Sequence, residues 1–288
     1  MSTLHAAPEI ELAARPAPGA PPAKMPSRRG LDLSWLAGPL TLIVVLLVWK
    51  GAVVLSGVSR FILPPPEAVF GRIVTLLGEP TTPSHIWTTL YETLAGFAIG
   101  TLLGTTLGFG IAKSPALERA LNPLIVATQV MPKVALAPLF VLWFGFGPTS
   151  KIVIAALLAF FPLLSNVVLG VRSVEASRHD VFNSLAATPW QRFRHLELPA
   201  TLPYLLTGME VGVVLSIIGA VVGEYLGGDR GLGYLTVYAQ NAFQTETVFA
   251  AILMLTVLGF ALYWAVASVR RFAIPWHESV IADRREVP

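Results

Sequence analysis

The 288-residue sequence contains no cysteine, which excludes a disulfide framework, a thiol nucleophile and a thiolate metal site. Charge is scarce as well: Asp, Glu, Lys and Arg make up 13% of the chain, against roughly a quarter in soluble domains. Hydrophobic residues reach 54% and the mean hydropathy is +0.68, so the chain is built for a low-dielectric solvent. No glycine is followed by lysine, which removes the Gly-x-x-x-x-Gly-Lys-Ser/Thr loop that cradles nucleotide phosphates. The histidines, His5, His85, His179, His195 and His277, have no helical metal-ligand spacing, and no Gly-x-Ser-x-Gly elbow accompanies them. No catalytic residue, metal site or cofactor is therefore expected. The net charge of +3 comes from cations scattered between apolar segments, which argues against a nucleic-acid face.

What is present is an all-α pattern of about six membrane-spanning helices. Residues 1–33, rich in Ala, Pro and Ser, read as a disordered tail, with no cleaved signal expected. Six segments then have the length to cross about 30 Å of hydrocarbon: residues 36–56, 88–112, 122–145, 151–171, 203–226 and 247–269. After Pro64-Pro65-Pro66, residues 67–77 carry apolar side chains at helical spacing and read as an amphipathic helix lying at the interface. Fourteen of the twenty Lys and Arg residues fall on one side of this topology and four on the other, which predicts that both termini are cytoplasmic. Lys50 and Lys133 fall within spans, and Lys50 lies close enough to an end to snorkel.

Within the spans, Gly96, Gly100, Gly104 and Gly108 share one face of the second helix. Missing side chains there admit another backbone, either inside one subunit or between subunits. The third span carries Pro123, Pro132 and Pro138 around Gln129, Met131 and Lys133, so its helix must break or kink near the midplane, and the freed carbonyl groups need protein or water beside them. Lys133 is an intramembrane ionisable residue, and Glu210 on the fifth span lies at a depth that suggests a pair, either functional or one that only locks two helices. Asn166 and Ser165 are polar groups in the apolar fourth span. The longest inner connection, within residues 172–202, has a helix-like first part, then Thr188 as a possible N-cap with Pro189 in the first turn of a second helix. Leu185, Trp190, Phe193 and Leu196 are too apolar for a solvated loop and look like a docking surface.

That connection resembles the cytoplasmic signature of the permease subunits of bacterial binding-protein-dependent ABC importers, in the nitrate, sulfonate and taurine branch. The signature runs Glu-Ala-Ala, three residues, Gly, nine residues, Ile, one residue, Leu-Pro, and here Asp180, Ala186, Leu196, Leu198 and Pro199 stand at its spacings. Asp180 replaces the Glu, Ala186 the Gly and Leu196 the Ile, while Val181 and Phe182 stand in place of the two Ala residues. Residues 136–145, 160–166, 222–225, 230–235 and the end near Pro275-Trp276 also look like this branch, so the likeness covers roughly 40–277.

The resemblance implies a type I importer permease fold: a permease domain over 34–277, a cytoplasmic C-terminal tail over 278–288, and a location in the bacterial inner membrane. It also implies a separate cytoplasmic ATPase, an extracytoplasmic solute-binding protein and a second permease copy. ATPase coupling falls on Asp180, Ser184, Leu185, Ala186, Trp190, Phe193, Leu196, Leu198 and Pro199; the candidate path residues are Gln129, Met131, Lys133, Asn166, Glu210 and Glu224. The expected solute is small and organic or anionic, like nitrate, sulfonates, taurine or a pyrimidine precursor. The rival reading is a stand-alone transporter or channel driven by an ion gradient, with Lys133 and Glu210 as a proton relay; a purely structural membrane scaffold is a third.

Overall fold

The computed structural model describes residues 34–274; the expected tails over 1–33 and 278–288, and the ending near Pro275-Trp276, lie outside the described residues. The described residues are helical with short connections. In chain order the helices are α1 (Ser34–Ser56), α2 (Pro66–Leu77), α3 (Thr82–Ala112), α4 (Pro115–Val130), α5 (Ala137–Phe144), α6 (Pro148–Arg172), α7 (Ala176–Ser184), α8 (Pro189–Arg192), α9 (Leu198–Gly227), α10 (Leu232–Asn241) and α11 (Thr245–Ala273). Among the described residues, five unbroken helices are long and apolar enough to span a bilayer, and a bent pair taken as one span makes a sixth. The chain divides into two compact units at Leu47 and Val48. The described part of the first is the apolar start of α1, with Leu40, Leu42, Val45 and Leu47 exposed; everything below concerns the second.

At the centre of this unit α6 packs along its length against both α3 and α9. The glycine face of α3 makes the first contact possible. A β-carbon on Gly100 would stand 2.7 Å from the Ala156 carbonyl oxygen, one on Gly104 would stand 2.9 Å from Leu163 Cβ, and one on Gly108 would stand 2.8 Å from Val167 Cβ. A β-carbon on Gly96 would overlap the Ala155 methyl. All four glycines meet α6 of the same chain. An adjoining face of α6, sharing Ala155 and Leu163, is met by a second glycine series on α9: Gly208 against Asn166, Gly212 against Leu163, Gly219 against the Ala155 backbone and Gly223 against Lys151. Interior glycines cost a helix roughly 0.5–1 kcal/mol each; backbone-to-backbone packing of this closeness offsets that where lipid supplies no hydrophobic drive.

Helix α11 closes the side. Val69 and Leu76 of α2 bury against Ala250, with Trp49, Phe249 and Leu253 around them. α2 is docked on α11: Arg72 Nε donates to Thr247 Oγ1 at 2.9 Å, and Arg72 also pairs with Glu79 at 3.0 Å. Lys50 reaches Glu67 at the start of α2, 3.3 Å away, and both side chains are more than half exposed.

The third span is not one helix. Its two parts, Ala116–Thr128 and Lys133–Phe144, meet at 84°. The break falls at Met131, whose backbone is extended (φ −65, ψ 128), as the Pro132 ring demands of the residue before it. A single 3-10 turn, Lys133–Leu136, then leads into α5.

Candidate functional site

The connection between α6 and α9 folds into a helical elbow whose two halves are fixed by local bonds. α7 ends in a complete Schellman motif: Ala187 N donates to Phe182 O at 3.0 Å and Ala186 N to Asn183 O at 2.9 Å. That motif needs a left-handed residue at its penultimate position, and Ala186 occupies it at φ 48. A Gly, which the signature has at this place, would meet such a turn without strain, whereas Ala186 adopts it at a steric cost. α8 starts with a capping box, in which Gln191 N donates to Thr188 Oγ1 at 3.3 Å and Thr188 N to Gln191 Oε1 at 2.8 Å. Pro189 follows at the first helical position, as expected from the sequence.

Beyond α8 the Leu-Pro end of the signature has its own geometry. Pro199 carries no N–H, and its ring would press on the carbonyl one turn earlier. The chain answers with a π-helical turn over Phe193–Glu197, closed by Leu198 N donating to Phe193 O. Helical structure thus runs from Pro189 to Gly227, 39 residues, or about 58 Å at 1.5 Å per residue.

The expected docking residues divide here. Leu185 (73% exposed), Trp190 (65%) and Val181 (57%) project from the elbow. Phe193 and Leu196, expected on the same surface, turn inward: Leu196 is buried, and Phe193 packs edge-on to Phe109 at 5.3 Å with the Lys113 ammonium 4.8 Å above its ring. Phe193 thereby ties the elbow to α3, and its other neighbour is Trp190, whose ring centroid lies 5.5 Å away. Asp180 and Ser184 are exposed on α7, where Ser184 Oγ donates to the Asp180 carbonyl at 2.9 Å, and Leu198 and Pro199 are half-buried at the head of α9. Lys113 pairs with Glu197 at 3.3 Å, and Arg172 pairs with Glu118.

The expected Lys133–Glu210 pair does not form. Glu210 pairs with Arg270 at 3.4 Å, and the Lys133 ammonium lies 4.8 Å over the Phe161 ring. Glu210 stands instead at the level of the last turn of α11, where Arg270 is carried. Asn166 Nδ2 donates to the Pro162 carbonyl at 2.8 Å and its Cβ lies against Gly208. Met131 is exposed at the helix break; the side chain of Gln129 lies outside the described residues.

Glu224 is enclosed, 1% exposed, and its carboxylate is spent on the start of α10. It accepts from Thr89 Oγ1 and from Gly233 N, both at 2.6 Å. Thr89 Oγ1 in turn accepts from Leu232 N at 2.8 Å, and His85 Nδ1 accepts from Gly231 N at 3.1 Å. Three successive amides, orphaned at any helix N-terminus, are thus satisfied by side chains of α3 and α9. Gly231 sits at φ 112, and a β-carbon there would overlap the Glu224 carboxylate. Glu92 and Lys151, both at most 2% exposed, complete this cluster; Lys151 Nζ donates to the Phe146 carbonyl at 2.7 Å. Sequence reasoning passed over Thr89, His85, Glu92 and Lys151. A signal existed for Glu92, a carboxylate inside the second span and subject to the rule that singled out Lys133.

Five unbroken apolar helices and a broken third span among the described residues, with a braced elbow between α6 and α9, define a polytopic membrane protein. A family model described as "Binding-protein-dependent transport system inner membrane component" matches residues 96–273. Among curated proteins, the riboflavin transport system permease protein RibX of Chloroflexus aurantiacus is 38% identical over 241 residues, covering 84% of this chain and 90% of that one. The formylaminopyrimidine transport permease protein ThiX of Halalkalibacterium halodurans is 35% identical, covering 83% and 95%, and the taurine transport system permease protein TauC of Escherichia coli is 31% identical, covering 83% and 89%. In fold, the chain matches the inward-facing MetNI methionine ABC transporter with a TM-score of 0.57 at 18% identity, over 65% of this chain and 93% of that one. The chain belongs to the family of inner-membrane components of binding-protein-dependent transport systems. It is a multi-pass ABC importer permease, a transport subunit with no catalytic activity of its own, and its family works with an ATPase and a binding protein.

Proposed function

We propose that residues 172–202 form the cytoplasmic element by which this permease receives force from its ATPase, with both termini cytoplasmic and the permease domain spanning 34–277. The observation that carries the reading is the elbow itself: two short helices locked by a Schellman motif and a capping box, presenting Val181, Leu185 and Trp190 to the outside. Exposed apolar groups on a braced scaffold fit a groove on a partner protein. Force applied at Trp190 passes along continuous helix into α9, across the glycine contacts into α6 and α3, and through Glu224 to α10 at the far end. ATP-driven closure of the motor subunits would thereby bias the permease between inward and outward openings, provided each ligand binds one state better than the other.

Two copies of the chain surround one solute path in this reading, with Met131, Lys133, Asn166 and Gln129 nearest to it, and a binding protein delivers solute from the outside. Relatives named for riboflavin and formylaminopyrimidine, beside one named for taurine, support a small organic solute, heteroaromatic or anionic. The ion-driven rival loses its relay, since Glu210 is engaged by Arg270. The test is Trp190→Asp in the reconstituted complex. Stimulation of ATP hydrolysis by loaded binding protein, and uptake, should both fall at least tenfold while the permease keeps its melting temperature. Full stimulation by the variant defeats the coupling assignment.

A further inference from the structure

A cavity of about 460 Å³ lies between the elbow and the inner ends of the spanning helices. Its polar lining comes from five elements: Lys113 at the end of α3, Arg172 at the end of α6, His179 on α7, Arg192 on α8, and a single acid, Glu197, in the π turn. Gathering this many cations around one space costs energy through like-charge repulsion, although the Lys113 and Arg172 side chains keep 48% and 56% exposure. The near carboxylates offset only part of it: Glu197 holds Lys113 at 3.3 Å and Glu118 holds Arg172 from outside the lining. Arg192 meets a neutral partner, Nη2 donating to Asn183 Oδ1 at 2.5 Å. With both acids counted the cavity still carries an excess positive charge. Three of the cation-bearing elements converge from different parts of the chain, and Ala112 and Val171 supply an apolar side next to the spans.

We propose that this cavity binds a phosphate-bearing anion, held by Lys113, Arg172 and Arg192. Basic pockets between helix ends on the cytoplasmic side of a membrane take anionic headgroups, and guanidinium groups match phosphate oxygens in a two-pronged geometry. The volume admits a glycerophosphate headgroup with an acyl chain leaving along Ala112 and Val171, and it also admits a free phosphate. Either occupant would tie α7 and α8 to α3 and α6, and so set the stiffness of the elbow. The inference rests on the cytoplasmic placement of the elbow proposed above.

The experiment uses the full permease assembled with its ATPase. In one arm the complex is placed in nanodiscs of phosphatidylcholine alone or with one-third phosphatidylglycerol, and bound lipid is counted by native mass spectrometry. In the other, detergent-solubilised complex is titrated with sodium orthophosphate against sodium chloride of equal ionic strength, following the melting temperature. Each cation near an anionic surface contributes about fivefold in affinity, so Lys113→Gln with Arg192→Gln should weaken binding roughly thirtyfold. Retained phosphatidylglycerol that is lost in the double variant identifies a lipid headgroup; stabilisation by orthophosphate, lost likewise, identifies a free phosphate. Equal retention of both lipids together with no orthophosphate effect overturns the proposal, as does unchanged binding in the double variant. Arg192→Lys, which keeps the charge, should retain most of the binding. Because ATPase stimulation in the Trp190→Asp variant is read independently, the phosphate site can fail while the coupling assignment stands, and the reverse.

Discussion

Ala186 offers the sharpest test of the elbow, because its φ of 48 is set by the motif and not by its side chain. In the left-handed region an alanine costs about 1–2 kcal/mol relative to its preferred conformations, a cost that glycine escapes. A β-branched residue there is a conformational outlier, with a cost near the upper end of about 1–3 kcal/mol. Ala186→Val should therefore destabilise the turn by about 1–2 kcal/mol more than Ala does, lowering its population five- to thirtyfold. The reporter is the Ala187 amide, bonded to Phe182 O at 3.0 Å: its hydrogen exchange should accelerate by that factor, and binding-protein stimulation of ATP hydrolysis should fall with it. Ala186→Gly should slow the same exchange by up to about fivefold, after the greater chain entropy of glycine is set against the relief. An Ala187 amide equally protected in the Val variant, or a Gly variant that exchanges faster, would refute the left-handed assignment.

Gly100→Ala places a methyl 2.7 Å from the Ala156 carbonyl oxygen and should cost about 1–3 kcal/mol by overpacking. Gly110→Ala on the same helix meets open space and should gain up to about 1 kcal/mol; melting temperatures in one detergent separate the two. Glu224→Ala strips the acceptor from Gly233 N and Thr89 Oγ1, which should cost about 1–3 kcal/mol for each polar group left unpaired and speed exchange of the amides at 231–233. Glu210→Arg should reduce thermal stability, with partial recovery when Arg270→Glu is added. Lys133→Met combined with Glu210→Gln should be additive within about 0.5 kcal/mol, as for residues that share no contact.

Much of this protein was legible before any coordinates. Long apolar runs broken by Gly-Pro turns determined the helices, because a chain in lipid has no other way to satisfy its backbone. The Thr188-Pro189 helix start and the break near Pro132 follow from local stereochemistry, which acts between neighbours in sequence. The glycine spacing on α3 announced a close approach, yet its partner, α6, is a matter of which surfaces meet. The same holds for Ala186: the sequence showed a departure from the signature, and only the folded turn revealed a positive φ behind it.

The charged residues inside the spans show the limit most clearly. Counting residues from a presumed membrane edge put Glu210 beside Lys133, but Arg270 arrives from a helix sixty residues away in the chain. The lock of Glu224 on α10 required α3, α9 and the Gly231 turn to converge, with Thr89 and Leu232 separated by 143 residues. The sequence by itself determined where helices form and how they start and stop, since those depend on neighbouring residues and on the solvent. Which carboxylate meets which cation was decided by the tertiary structure alone, because charge pairing depends on distances that exist only after the helices have packed.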